Sequence, residues 1–561
     1  MLRDTLMDVN NISSGTSWGT VSKAVGVASA IGIGGGIGYY LYKKHTAEGA
    51  KEECDPETLK AQGNALFKEK KYEEALAKFQ KAIAFNEKSN NLKAVCYQNM
   101  GAVYEYMGDL KLCVAACSKA IEVDVRYSKA YIRRAKAYKA LKCVDESLQD
   151  EMMCSYLLKD QKYVSIDHIV FKTMEAFNHK LDLYTNRRVP ISPTTIDIWA
   201  LYTFTEDPVV GLMKRASPDD EHERLFAECY EKIKAHEVNS LLDMVLPETE
   251  NSSSPLYFHV LLFAARLYNY HGDLQKSEEY LKKFDEEISD GESTLSEETK
   301  RAIIVSALLL RVVNSVDPAD QAEFLRKAKE TDTNNCDIYM TEGLSAMDMH
   351  DFRKVAESFA KAFEKNPDHQ PARAHLVFSQ AMLALMNNDM SAVNTSIMTL
   401  DKMAGDLTDT YPYINILAGR LYLSCGAVKE AEKFLAVAKA KMPHLGLAHF
   451  MHALASSEED TSLNMDDVAK SAKVLNKIIE IDQFFAPPYT LLSKVYLKHE
   501  QYDLAMDALN QALMVSSTHQ DYGSAFVDRL VLQQSFNIAN NLNIPRKDVV
   551  GFLVLQCQWL K

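Results

Sequence analysis

The sequence predicts an all-α protein in which paired helices stack into an α-solenoid, preceded by a single N-terminal transmembrane helix. A small residue in the middle of a helix recurs as Gly63, Gly101 and Ala135, at spacings of 38 and 34 residues. A similar spacing of small and apolar residues returns after residue 225. The third observation is an uncharged stretch over 24–42, which is long enough to form a membrane helix.

An interval of 34 residues is the period of the tetratricopeptide repeat, a helix-turn-helix unit. The four additional residues of the first interval fall in the polar run 86–91, which can lengthen a loop without reaching the core. We therefore predict three repeats over 55–155 and, after a junction over 156–225 that contains several prolines, a second array over 226–519. Capping helices are expected over 520–561.

The chain before the repeats divides into a short polar tail (1–23), a signal anchor (24–42) and a charged linker (43–54). At about 1.5 Å per residue the anchor spans about 28 Å, close to the hydrocarbon thickness of a bilayer. The lysines at 43 and 44 predict that the following domain stays in the cytosol. Glycines within the span complete no nucleotide-binding motif and instead permit close packing of membrane helices.

Composition excludes several classes of function. A net charge of −14 argues against a nucleic-acid-binding protein, which would carry a basic stripe. The ten cysteines show no spacing typical of a zinc site, so we expect no metal and no cofactor. An enzyme with a recruiting repeat domain is the alternative from another class. Walker and HExxH signatures are missing, and we predict that the protein is not an enzyme.

The first three repeats carry a pattern of cations and amides at matching positions. Because first helices line the concave groove of such an array, residues one helical turn apart on these helices face that groove. The set contains three cations and two amides: Lys60, Asn64, Asn99, Lys129 and Arg133. Ammonium and guanidinium groups give charge-assisted hydrogen bonds to carboxylates, and amides add neutral donors. The alternative is that these side chains only solvate a surface. We predict a clamp for an acidic peptide end.

The same helix positions in the second array are mostly apolar. We predict a second groove, which binds hydrophobic client segments, lined by Leu262, Phe263, Arg266, Met340, Leu344, Ile416, Leu417, Arg420, Leu491 and Lys494. Leucine and methionine repack readily, so such a groove would make little demand on exact sequence. The alternative interpretation is that these side chains pack between neighbouring helices as ordinary core.

The clamp residues occur in Lys60-Ala-Gln-Gly-Asn64, in Tyr97-Gln-Asn-Met-Gly101 around Asn99, and in Lys129-Ala-Tyr-Ile-Arg133. These segments resemble the dicarboxylate clamp of co-chaperone tetratricopeptide domains. With the anchor, the junction segment 192–208 and the segment 479–482, the chain is similar to the seventy-kilodalton receptors of the mitochondrial outer-membrane translocase. It departs from that family over 341–344.

The resemblance implies a single-pass receptor in the mitochondrial outer membrane with its C-terminal domain in the cytosol. Its expected partners are cytosolic heat-shock chaperones with a Glu-Glu-Val-Asp tail, precursor proteins including inner-membrane carriers, other translocase subunits and the lipid bilayer. A chaperone-docking receptor on another membrane, such as the endoplasmic reticulum, is the alternative that the anchor leaves open.

Overall fold

A computed structural model describes residues 55–86, 89–159, 187–204, 206–289, 295–315, 317–348, 351–458 and 461–555. These residues form helices joined by turns and loops, and they contain no β-strand, which confirms the all-α prediction. The predicted tail, anchor and linker over 1–54 lie outside the described residues. No helix within the described ranges has the length and apolar character needed to cross a membrane.

The described chain divides into two compact units. The first unit comprises 55–159 together with 534–555, and the second comprises 187–533. The predicted terminal segment 520–561 is therefore shared, since its residues 534–555 belong with the first three repeats. In that unit the ring of Phe552 packs edge-on against Tyr156, with ring centres 5.7 Å apart.

The first unit contains three helix pairs. They are α1 (Pro56–Lys68) with α2 (Tyr72–Phe85), α3 (Asn90–Met107) with α4 (Leu110–Val123), and α5 (Ser128–Ala140) with α6 (Val144–Leu158). Side chains before the helices provide their N-caps: Asp55, Ser89 and Asp109 accept hydrogen bonds from backbone N–H groups of the first turns of α1, α3 and α4. Gly108 ends α3 at a φ of +83°, which glycine adopts without strain.

The pairing of helices explains the recurring small residue. A Cβ at Gly63 would lie 2.7 Å from the Phe79 ring, and one at Gly101 would lie 2.8 Å from Cys117 Sγ. The same contact recurs in the second unit, where a Cβ at Gly343 would lie 2.8 Å from Phe359. In each pair the partner follows the glycine by sixteen residues in the sequence. The repeat therefore packs its two helices through a close contact that a larger residue would obstruct.

The second unit begins with short elements and continues as stacked helix pairs. Its first helices are α7 (Pro193–Asp197), α8 (Pro208–Arg215), α9 (Arg224–Lys234), α10 (Leu241–Val245), α11 (Tyr257–Tyr270), α12 (Leu274–Ser289), α13 (Glu297–Asn314) and α14 (Pro318–Thr331). A π-helical turn over Ile198–Thr203 follows α7. The array continues with α15 (Cys336–Asp348), α16 (Phe352–Lys365), α17 (Gln370–Met386), α18 (Met390–Leu407), α19 (Ile414–Ser424), α20 (Val428–Lys441), α21 (Gly446–Ala455), α22 (Val468–Ile481), α23 (Pro487–Lys498) and α24 (Tyr502–Val515). The helix α25 (His519–Leu542) crosses the boundary between the units, and α26 (Arg546–Val550) belongs to the first.

A segment that we call the strap, residues 187–207, runs along the second unit from its last repeat to its first. Arg187 donates to the carbonyl oxygens of Leu513 and Ser516. Further along, Ser192 Oγ and Thr194 Oγ1 donate to Asp482 Oδ2 at 2.6 and 2.7 Å.

The remaining strap contacts follow the array towards its start. Asp197 Oδ2 lies 2.9 Å from His444 Nε2, and Glu206 accepts from the backbone N–H of Cys336 at 2.7 Å. Asp207 meets Arg266 on α11 at 2.7 Å. These contacts make the strap an integral part of the second unit. They also join the two segments, 192–208 and 479–482, on which the resemblance partly rests.

Candidate functional site

The five predicted clamp residues lie on the first helix of each repeat in the first unit. Lys60 and Asn64 are on α1, Asn99 is on α3, and Lys129 and Arg133 are on α5. Asn99 Nδ2 donates to Asn64 Oδ1 at 2.9 Å, so the amides of the first two repeats are in contact. Gln98 extends this contact. The Gln98 amide satisfies its neighbours only with its oxygen towards Arg133: in that orientation its nitrogen donates to Asn99 Oδ1 at 3.1 Å and its oxygen accepts from Arg133 Nε at 2.9 Å. A hydrogen-bonded path therefore joins Asn64, Asn99 and Arg133 across three helices.

Packing behind the groove positions Arg133. Gly101 makes room for its aliphatic stem, because a Cβ at position 101 would lie 3.4 Å from Arg133 Cδ. The next residue, Arg134, donates through Nε and Nη2 to the two oxygens of the buried Asp150 at 2.8 and 2.7 Å. Arg134 also donates to Ser118 Oγ at 2.9 Å. These bonds tie α5 to α6 and α4 and so hold α5 in the orientation that places Arg133 beside Gln98.

The two lysines of the clamp lie one helical turn from the amide or guanidinium on their own helix. Lys60 is half-buried and contacts the carboxylate of Glu57 on the same helix. Lys129 is exposed. The structure thus brings Asn64, Asn99 and Arg133 into one hydrogen-bonded path. Lys60 and Lys129 lie one helical turn before Asn64 and Arg133, on α1 and α5.

Two residues of this groove were not predicted. Glu105 on α3 contacts the Arg133 guanidinium, and Gln98 is buried with 8% of its surface exposed. The sequence prediction included only cations and amides, and Asn99 was its only residue on α3. Glu105 lies four residues beyond Gly101 on the same helix, so the rule of one helical turn applied past the glycine would have found it.

The predicted client groove requires correction. Leu262, Phe263, Met340, Ile416 and Leu417 are 0% exposed, so they pack between helices instead of facing a groove. Adjacent residues on a helix cannot all point to one face, and Phe263 instead meets the rings of Trp199 and Phe226 at centre distances of 6.2 and 6.1 Å. For these five residues the alternative interpretation, ordinary core packing, is therefore correct.

The other predicted client residues are either half-buried leucines or charged residues. Leu344 and Leu491 are half-buried against the cores of their repeats. The Arg420 guanidinium lies 5.2 Å above the centre of the Phe378 ring. Lys494 faces Asp528, whose pKa is raised to about 6 by burial although the lysine acts in the opposite direction. Arg266 is the one member of the predicted set that lines the pocket described next.

An open pocket lies in the second unit between the strap, α11, α13 and α15, and it encloses a cavity of about 60 Å³. The Arg266 guanidinium donates to Asp207 at 2.7 Å and to Ser306 Oγ at 2.8 Å, and it lies 4.6 Å from the centre of the Trp199 ring. Apolar side chains surround this ion pair, and Val313 at the rim is 57% exposed. The other lining residues include Phe204, Glu206, Asn269, Tyr270, Val305, Leu309, Leu310, Asn335, Asp337 and Thr341. The strap residues of this wall follow no repeat period, so sequence periodicity could not identify them.

Comparisons with known proteins agree with the repeat assignment. Models of the tetratricopeptide repeat match residues 56–89, 94–124 and 486–519. The first two matches cover two of the three predicted clamp repeats, and the third covers the end of the second array. The prediction of a tetratricopeptide solenoid is therefore confirmed.

Relatives of this chain include import receptors of animal mitochondria. The chain is 25% identical to mitochondrial import receptor subunit tomm-70 of Caenorhabditis elegans over 57% of each chain. It is 21% identical to the human mitochondrial import receptor subunit TOM70, over 83% of this chain and 77% of the human protein. A solved structure of yeast Tom70 aligns with a TM-score of 0.43 and 17% identity, over 90% of this chain and 99% of that one. The two animal import receptors confirm the resemblance predicted from the sequence.

Proposed function

We propose that the protein is an import receptor of the mitochondrial outer membrane that docks cytosolic chaperones on the clamp and receives hydrophobic precursor proteins on its second unit. The observation that carries the proposal is the hydrogen-bonded path from Asn64 through Asn99 to Arg133, flanked by Lys60 and Lys129. Similarity to import receptors along 83% of the chain supports the same assignment.

The clamp suits a ligand that ends in several carboxylates. Lys60 and Asn64 can bind one carboxylate, and Lys129 and Arg133 can bind a second, two helix pairs further along the groove. Charge-assisted bonds of this kind each contribute about 1.5 to 3 kcal/mol, and amide donors add orientation. The Glu-Glu-Val-Asp tail of cytosolic heat-shock chaperones provides the main-chain carboxylate and three side-chain carboxylates. Such a tail is the ligand that we propose.

The second unit supplies the precursor site through the pocket around Arg266. Its apolar residues, including Val313, Leu309 and Phe204, offer contact area for an apolar segment, and the Asp207–Arg266 pair offers orienting polar groups. Ligand pockets of this kind combine an apolar lining with a few placed polar groups. We propose that a hydrophobic precursor segment binds here before transfer to the translocase. No chemical step is required of the receptor.

The anchor over 24–42 would hold this receptor in the outer membrane with residues 44–561 in the cytosol. A receptor on the endoplasmic reticulum would use the same clamp for a different client. Imaging the first 45 residues fused to a fluorescent protein separates the two: mitochondrial labelling supports the proposal, and reticular labelling contradicts it.

The clamp is tested by changing the ligand. Calorimetry compares a Glu-Glu-Val-Asp peptide with the same peptide amidated at its C-terminus. Because amidation removes the main-chain carboxylate and its charge-assisted bonds, we expect binding to weaken by about 1.5 to 3 kcal/mol, roughly 10- to 150-fold. Equal affinity for the two peptides would show that no group of the protein binds the terminal carboxylate.

A further inference from the structure

The Arg133 guanidinium is already engaged by groups of its own chain. Its Nη1 contacts the Glu105 carboxylate. In the Gln98 amide orientation that satisfies both neighbours, Nε and Nη2 lie 2.9 and 3.3 Å from the Gln98 amide oxygen. Both partners come from α3, the first helix of the preceding repeat. The side chains of Arg133 and Glu105 are 25% and 33% exposed, so this ion pair lies at the accessible wall of the groove and not in the core.

Glu105 changes the electrostatics of the groove. A ligand carboxylate that approaches Arg133 meets a guanidinium whose charge is compensated by an acid in direct contact, and it also meets the repulsion of that acid. The approach is favourable only when other groups of the ligand gain contacts at the same time. Lys129 lies one turn away on α5, and Lys60 lies on α1 with Glu57 as its exposed partner. A ligand with several carboxylates can reach these groups together, whereas a ligand with one cannot.

We propose that Glu105 is a specificity-determining residue of the clamp, which competes with the ligand for Arg133 and thereby excludes peptides that carry a single terminal carboxylate. This inference rests on the proposed clamp function. Specificity arises here from the repulsion by the Glu105 carboxylate, since competition for Arg133 lowers the affinity of ordinary peptide C-termini more than that of a tail with clustered acids. The abundant C-termini of other cytosolic proteins are the ligands that Glu105 excludes.

The experiment compares Glu105→Gln with wild type in the full chain by calorimetry. Two peptides serve as probes: one ends in Glu-Glu-Val-Asp and the other in Ala-Ala-Val-Ala, which keeps only the main-chain carboxylate. We expect Glu105→Gln to bind the acidic peptide about tenfold more tightly, because a like charge beside the site is removed. The affinity of the single-carboxylate peptide should increase by a larger factor, so that the affinities of the two peptides for Glu105→Gln differ less than they do for wild type.

Matched variants separate this inference from a general charge effect. Glu122 is an exposed acid on α4 in the same unit, and Glu122→Gln removes the same charge without touching Arg133. We expect this control to bind as wild type does. In the Arg133→Ala background Glu105 faces the ligand without its guanidinium, so Glu105→Gln still relieves repulsion there. We expect it no longer to favour the single-carboxylate peptide over the acidic one, since the competition for Arg133 no longer exists.

The sign of the Glu105→Gln effect is decisive. If Glu105 only holds Arg133 in place, the substitution weakens binding of both peptides, and the inference is overturned. An equal gain in Glu122→Gln also overturns it. If Arg133→Ala weakens peptide binding while Glu105→Gln leaves it unchanged, the proposed clamp is supported and the proposed role of Glu105 is refuted. If neither variant differs from wild type, the clamp itself is refuted together with this inference.

Discussion

Replacement of Arg133 by alanine tests the contact at the centre of the clamp. The substitution removes charge-assisted bonds to a ligand carboxylate, which contribute about 1.5 to 3 kcal/mol. It also leaves Glu105 in the groove without the guanidinium that it contacts, so a like charge then faces the ligand. We therefore expect a loss in the upper part of that range, about 2 to 3 kcal/mol, which is roughly 30- to 150-fold in affinity.

The change should affect binding and not folding. Because the Arg133 side chain is 25% exposed and its pair with Glu105 lies at the groove surface, we expect the free energy of unfolding to change by less than about 1 kcal/mol. Arg133→Lys keeps the charge but loses the planar fork, so its loss of affinity should be intermediate.

Calorimetry with a Glu-Glu-Val-Asp peptide measures these affinities, and thermal unfolding checks the fold. Arg126→Ala is the matched control, since Arg126 is an exposed cation outside the clamp in the same unit. The reasoning is refuted if Arg133→Ala binds the peptide within twofold of wild type, or if Arg126→Ala loses as much affinity.

Three further predictions concern topology, the pocket and acid stability. Protease added to intact mitochondria should digest residues 44–561, and a protected C-terminal half would contradict the proposed orientation. Val313→Asp at the pocket rim should weaken precursor binding, whereas the control Val428→Asp, at a position 47% exposed on α20, should bind precursor normally. Precursor binding should also depend far less on salt than chaperone-tail binding does. Equal effects of the two substitutions, or equal salt slopes for the two ligands, would refute a precursor site at the pocket. Burial lowers the pKa of His259 and of His369 to about 4 and that of His375 to about 3. Since the folded state favours the neutral imidazoles, their stability contribution is complete above pH 6.5 and decreases as pH falls towards 4, by on the order of 5 kcal/mol in total at pH 5. Denaturant unfolding at pH 7 and pH 5 measures this decrease, and equal stabilities would refute it.

The first unit could be predicted closely because its repeats are regular. A period near 34 residues places Gly63, Gly101 and Ala135 at equivalent points, and the groove positions then follow from helical geometry. The packing of Gly63 on Phe79 and of Gly101 on Cys117 explains why the residue at these points is small. Glu105 was missed because the pattern was compared with a set of cations and amides and not with the whole face of α3.

The second unit was less predictable because its interactions are distant in sequence. Nothing in the repeat period indicates that Ser192 contacts Asp482 or that Asp207 meets Arg266. The repeat period alone leaves the apolar residues of α11 available for a ligand, whereas in the structure Trp199 of the strap packs on Phe263. A test of the client groove by Leu417→Asp is also unsuitable, because Leu417 is 0% exposed and a buried charge there would unfold the repeat.

The strap has a consequence for how the protein is made. In an ordinary solenoid each repeat contacts only its neighbours, so the growing chain can fold repeat by repeat as it leaves the ribosome. Here the acceptors of Arg187 are the carbonyl oxygens of Leu513 and Ser516, which are synthesised more than three hundred residues later. At about 5 to 20 residues per second, the strap waits tens of seconds for its last partners, with its apolar side chains uncovered. The second unit is thus completed only after residue 516 has been synthesised, and a chain that stops before residue 513 leaves a segment that chaperones or proteases would recognise.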